Sequence, residues 1–109
     1  LASCGCHLLF LVTGRGSVVG SAVAPVIKIT GNHETFRRME DDMDFDASPI
    51  LEGSCNLDDS AQNLMEFVIS AAQGMMTKSE ALGHKEYCIP YKYQNKRVGP
   101  FCGSENQAL

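Results

Sequence analysis

The residues with the most chemical potential lie between two apolar runs, in Thr13-Gly14-Arg15-Gly16-Ser17-Val18-Val19-Gly20-Ser21. Its glycines admit positive φ and let a ligand come close to the main chain, and Arg15 carries a planar fork of donors that matches a carboxylate or a phosphate. That is the make-up of an anion-holding loop. The same residues also describe a plain glycine-rich connection with a solvated arginine. The Gly-x-Gly-x-x-x-Gly spacing puts Val19 where a dinucleotide fingerprint needs its third glycine, which argues against a nicotinamide site. A second cluster is Glu40-Asp41-Asp42-Met43-Asp44-Phe45-Asp46, five acids in seven residues. Such a run can bind a hard divalent cation, serve as a general base, or form an acidic surface turn. If Met43, Phe45 and Ala47 are tucked in on one side, Asp44 and Asp46 point together to the other. Glu80 and His84 are four apart and would meet on one helical face as an acid-base or metal pair. Gly83 weakens the turn between them, and a histidine there equally suits the surface or a partner contact.

These groups need elements to position them. Leu8 to Val12 is apolar at every position, the pattern of a strand buried on both faces, and Pro25 to Thr30 is rich in β-branched residues and reads as a second strand. With the first strand central, the glycine loop falls beyond its carboxyl end, where open α/β sheets bind ligands. If the two strands are parallel, the connection of about a dozen residues is only just long enough for a crossover, and a helical turn is expected near Ser17 to Ala22. Asn32 caps a short helix to about Glu40, with Phe36 and Met39 on its buried face. Pro49 to Gly53 reads as a brief extended piece closed by a turn. Asp58 to Gln73 is the strongest helix, its stripe of Ala61, Leu64, Met65, Val68 and Ala72 assigned to the core. Thr77 to His84 forms a short capped turn of helix, Glu86 to Tyr93 an extended aromatic stretch, and Gln94 to Leu109 a polar tail. Residues 1–76 make an α/β core, and residues 77–109 a short helical turn with an extended tail.

Composition narrows the function. The 109 residues fit one domain, large enough for a core but small for an enzyme that encloses its substrate on all sides, which suggests a piece of a longer chain. A start at Leu1 points the same way. Thirteen acidic against nine basic residues give a net charge of −4, which speaks against nucleic acid or an anionic membrane as partner. No apolar run approaches the roughly 20 residues that span a bilayer. Five cysteines, an odd number, suit reduced thiols in the cytoplasm better than a disulfide framework. Cys4-Gly5-Cys6-His7 lacks the second ligand pair that a zinc site needs.

The ordered motifs LVTGRGSVVGSAVAPVIKITGNHETFRRMEDDMDFDAS, followed later by SEALGHKEYCIPYK, resemble the carboxy-terminal part of the altronate and galactarate dehydratase family. That family's pattern runs approximately FTTGRG, PVIK, an Asn-Pro-x-Thr stretch and D-[IV]-N-A-G, and the likeness extends from about Cys6 to about Cys102. Val12 stands for the first Thr of TTGRG, His33 for the proline, Asp46 for the Asn and Ser48 for the Gly. The resemblance implies an α/β fold, a small Rossmann-like and largely parallel sheet with covering helices. It implies a hydro-lyase that removes water from a six-carbon sugar acid to give a 2-keto-3-deoxy acid, with a divalent metal, usually Fe2+. Thr13, Gly14, Arg15 and Gly16 would hold the substrate carboxylate and Lys28 or His84 would act as base. Asp44, Asp46 or Glu80 would assist the metal. The same family includes sulfo-lyases acting on sulfolactate, and a third reading is a non-catalytic platform that binds the remaining domains of the full-length enzyme or a second copy. An excised piece of that kind should bare apolar surface where its neighbours sat.

Overall fold

In a computed structural model that describes residues 1–86, three strands form one parallel sheet: β1 (Leu9–Val12), β2 (Val26–Thr30) and β3 (Phe45–Asp46), in that order. Leu9 pairs with Val26 and Val12 with Ile29 on one side of β2, and Ile29 pairs with Phe45 on the other. Around the sheet lie α1 (His33–Arg38), α2 (Ser48–Leu51), α3 (Leu57–Ala72) and α4 (Lys78–Ala81), with a short 3-10 turn at Ala2–Cys4. This is the small parallel α/β architecture that the sequence implies. The stretch from Tyr87 onward, with the extended aromatic segment and polar tail expected there, lies outside the described residues.

β2 is the centre, and all five of its residues are buried. Because side chains alternate along a strand, Ile27 and Ile29 share one face, where they pack with Ala71, Leu64, Phe67 and Val68 of α3 and with Leu8, Phe45 and Ala47. Val26, Lys28 and Thr30 share the other, where α4 sits and Ser79 Oγ donates to the Val26 carbonyl at 3.4 Å. The expectation of a central first strand is corrected. Among the described residues β1 is an edge strand, with Phe10 49% and Val12 72% exposed, since of their three strands only β2 has a neighbour on both sides.

Three further expectations change for local reasons. The crossover from Thr13 to Pro25 carries no helical turn. The hydroxyls of Ser17 and Ser21 accept the N–H groups of Val19 and Val23 instead, side-chain turns that compete with a helix for the backbone. Residues 48–51 form a helix where an extended piece was expected: Pro49 lies in its first turn, where a missing N–H costs no hydrogen bond. The buried side of α3 runs through Ser60, Leu64, Phe67, Val68 and Ala71, while Ala61, Met65 and Ala72 face outward. Small Ser60 and Ala71 let the helix approach the sheet while Phe67 supplies the apolar bulk.

The cap expected at Asn32 is present, and Asn56 caps α3 in the same way. Asn32 Oδ1 accepts the N–H groups of Glu34 and Thr35 at 3.0 and 3.3 Å, and Asn56 Oδ1 accepts that of Asp59 at 2.8 Å. Among the described residues, Cys4, Cys6 and Cys55 are free thiols, and no helix is long and apolar enough to cross a membrane.

Candidate functional site at the edge and inner face of the sheet

Since all three strands run the same way, their carboxyl ends lie along one edge. Beyond β1, Thr13 keeps contact with the sheet through its N–H on the Ile29 carbonyl at 2.9 Å, and then the Gly14-Arg15-Gly16 turn begins. Thr13 Oγ1 donates to the Gly16 carbonyl at 3.4 Å, closing the turn on itself, and Thr35 Oγ1 donates to the Gly14 carbonyl at 2.9 Å, fastening it to α1. Gly16 has φ of 85°, and a Cβ there would overlap the Met39 sulfur. The loop is therefore seated in one conformation against the helix. Arg15, Thr35, Arg38 and Met39 line an open cleft of about 370 Å³ beside it. Two guanidinium groups on one cleft favour an anion, although Arg38 also approaches Glu34 at 3.7 Å in an exposed pair.

On the other side of α1, His33 Nδ1 lies 2.9 Å from Asp46 Oδ2, and Asp46 Oδ1 accepts the Ser48 N–H at 2.9 Å. Burial alone would raise the Asp46 pKa, but the hydrogen bonds from His33 and Ser48 outweigh it and hold the carboxyl below its ordinary 3.8. The three positions that meet here, His33, Asp46 and Ser48, are ones at which the chain departs from the family pattern.

The inner face holds a second group. Lys28 is 0% exposed, and among the described residues its Nζ has no hydrogen-bond partner. Burial lowers its pKa below 10.5, against the opposing pull of Asp42, Asp44 and Glu86. Asp44 Oδ2 accepts the Lys28 backbone N–H at 2.8 Å while its own N–H donates to the Lys28 carbonyl at 3.0 Å, so this side chain extends the ladder before β3 begins. Asp44 Oδ1 accepts the Lys78 N–H at 2.9 Å and so ties α4 to the sheet. After α4, Gly83 turns left-handed with φ of 71°, and the His84 N–H donates to the Ser79 carbonyl at 2.8 Å. That turn sets His84 against Gly20, where a Cβ would overlap the His84 carbonyl, and places its ring 3.9 Å from Asp42. Asp42 thus lies between Lys28 and His84 electrostatically.

The structure accordingly distributes the sequence-derived candidates. Thr13, Gly14, Arg15 and Gly16 stand at the carboxyl edge, with Asp46 at the junction of α1 and α2. Lys28, Asp44 and His84 are under α4. Glu80 and His84 do not pair: Glu80 accepts from the Thr77 N–H at 2.9 Å as a helix cap, and the Gly83 turn carries His84 away to Asp42. Nor do Asp44, Asp46 and Glu80 converge, because each uses its oxygens on a different neighbour. Among the described residues no group of three His, Cys, Asp or Glu is placed to hold a metal ion. The described residues alone offer no donor set that fits a divalent metal. Sequence reasoning missed Arg38, Asp42 and His33. Arg38 in the last turn of α1 suits the helix dipole as readily as a cleft, Asp42 is one of five acids in a run, and His33 has no partner in sequence that would mark it before the fold sets it beside Asp46.

A parallel sheet with helices around it and a fastened Gly-Arg-Gly turn at its carboxyl edge defines a small α/β domain, with that edge as its candidate site. The chain belongs to the D-galactarate/altronate dehydratase family, C-terminal part, whose model matches residues 1–95. It is 37% identical over 86 residues to the (2R)-sulfolactate sulfo-lyase subunit beta of Chromohalobacter salexigens, a match covering 79% of this chain and 22% of that protein. It is 30% identical over 89 residues to the altronate dehydratase of Escherichia coli, and 28% over 89 residues to that of Bacillus subtilis, each match covering 82% of this chain and 18% of the relative. The chain therefore spans about a fifth of the length of these relatives. No solved structure matches it.

Proposed function

We propose that the full-length protein is a cytoplasmic carbon-oxygen lyase that removes water from an aldonate or aldarate to give a 2-keto-3-deoxy acid, and that this chain forms the wall holding the substrate carboxylate. The observation that carries the reading is the Thr13–Gly16 turn, fastened to α1 at the carboxyl edge with Arg15 and Arg38 on one cleft. Elimination from a 2-hydroxy acid begins with loss of the proton α to the carboxylate, and negative charge then builds on that carboxylate as an enediolate forms. Fixed donors aimed at that charge lower the barrier. Lys28 and His84 are the inner-face bases of the reading. Lys28 is closed to solvent, so it could act on substrate only if that face of the sheet opened. A divalent metal such as Fe2+ would need ligands from beyond the described residues.

A second reading has a specific observation behind it: the likeness to the sulfolactate sulfo-lyase subunit, at 37% identity. Its substrate is also a 2-hydroxy acid, and sulfite would leave in place of water, so the same loop serves either reaction. The test is turnover by the full-length protein of a panel of four- to six-carbon aldonates, aldarates and sulfolactate, with and without Fe2+. Arg15→Ala should lower kcat/KM on the best substrate by about 10- to 100-fold, the worth of a charged hydrogen bond. A wild-type protein inactive on every member would refute the lyase reading and leave the domain a structural platform.

A further inference from the structure

We propose that Arg38 holds a second negative charge on the substrate, so that this cleft selects a 2-hydroxy acid with an anionic group at each end, an aldarate or sulfolactate, over an aldonate of the same length; the inference deepens the lyase reading and rests on it. Arg15 and Arg38 reach the cleft from different elements. The Thr35 hydroxyl donates to the Gly14 carbonyl at 2.9 Å, which seats the Arg15 turn beside that residue of α1. Arg38 follows Thr35 by three residues, which places it about 4.5 Å further along the helix axis on the same face. The two guanidinium groups are thus based one helical turn apart. A single carboxylate is satisfied by the fork of one guanidinium, and the second is then left for another anion.

The rest of the lining offers a ligand little else. Among the described residues the cleft, of about 370 Å³, is bounded by Arg15, Thr35, Arg38 and Met39. The Thr35 hydroxyl proton is engaged by Gly14, its backbone N–H by the Asn32 side chain at 3.3 Å, and the Met39 thioether is a weak acceptor. This wall therefore reads charge, with few groups to read the configuration of hydroxyls. The pair of Arg38 with Glu34, at 3.7 Å and with both side chains 77% exposed, is weak and yields to a ligand anion at little cost. For an aldarate the second anion is the far carboxylate. For sulfolactate it is the sulfonate that departs, and Arg38 then bears on the leaving group.

The test uses the full-length protein turning over its best substrate from the panel, with malate and 2-hydroxybutyrate as competitive inhibitors. They are a dianion and a monoanion on one four-carbon skeleton, and neither carries a leaving group at C3. Malate should bind wild type about tenfold or more tighter, the worth of one charged hydrogen bond, and the preference should shrink with added salt because the cleft is open to solvent. Arg38→Gln should remove most of the preference and Arg38→Lys should restore part of it, whereas Arg15→Ala should weaken both inhibitors. Arg38 is exposed at the end of α1, so its replacement leaves the fold intact. The substrate panel separates the two dianions by which of them is turned over. A wild type that binds the two acids alike or binds neither, or an Arg38→Gln protein whose preference stays within about twofold of wild type, overturns the inference while the lyase reading stands. So does an aldonate turned over better than the aldarate of equal carbon number. A wild type inactive on every substrate removes the lyase reading itself, and the inference with it.

Discussion

Lys28 is the residue whose burial has the clearest physical consequence. It lies mid-strand in β2, 0% exposed, with Nζ unpartnered among the described residues and its pKa lowered by burial. Between that lowered value and 10.5 the unfolded chain holds more protons on this group than the folded one, so the free energy of unfolding rises with pH across the window. The cost of burying a charge is therefore greatest at neutral pH and disappears as the amine neutralises. Lys28→Met should stabilise the full-length protein at pH 7 by roughly 1–2 kcal/mol and flatten the rise, read as melting temperature against pH for both proteins. Equal melting temperatures throughout would mean the amine has a partner supplied elsewhere. None of this is visible in PVIK as a string. The motif marks Lys28 as notable, but a lysine in a strand is as readily a solvent-facing residue, and it takes α4 packed on that face of β2 to enclose it.

At the level of elements, the elements at the carboxyl edge depend on each other for position. α1 holds the loop through Thr35 on one side and Asp46 through His33 on the other, and the loop can lie flat only because Gly16 has no Cβ. Met39 has a flexible end that can yield, but φ of 85° remains unfavourable for any side chain. Gly16→Ala should cost about 1–3 kcal/mol and weaken substrate binding together, measured by denaturation and KM on the full-length protein. Loss of stability alone would separate the turn from the ligand. Much of this layer was legible. Paired apolar and β-branched runs, Asn32 as a cap, and Gly83 as a weak point in the turn before His84 are local signals with local causes. The missed features depend on contacts distant in sequence. β1 reads as doubly buried because apolar composition does not say which strand has two neighbours. The two residues of β3 are too few for a period, and the serine turns of the crossover leave no composition distinct from a helical one. The buried face of α3 is set by what Ile27 and Ile29 require, so Phe67 displaces Met65.

Across the whole molecule, the described residues leave much apolar surface bare. Phe10, Val12, Val18, Val23, Leu57, Met65 and Ile69 are all exposed, several of them on the edge strand or the outer side of α3. An unpaired strand edge of this kind invites another chain. With relatives about five times as long, we infer that other parts of the full-length protein cover it. Val12→Lys should then destabilise the full-length protein by more than 1 kcal/mol, well beyond the roughly 0.5 kcal/mol of an open surface site, as read by thermal unfolding. A neutral effect would leave the edge in water.

The loop at that edge remains the point on which the functional account turns. Its most direct test is calorimetric titration of the full-length protein with an unreactive 2-hydroxy-acid analogue of its best substrate, comparing wild type, Arg15→Ala and Lys28→Met. The account predicts affinity lowered about tenfold or more in Arg15→Ala and retained in Lys28→Met. Unchanged binding by a folded Arg15→Ala protein would contradict it and move the anion site elsewhere.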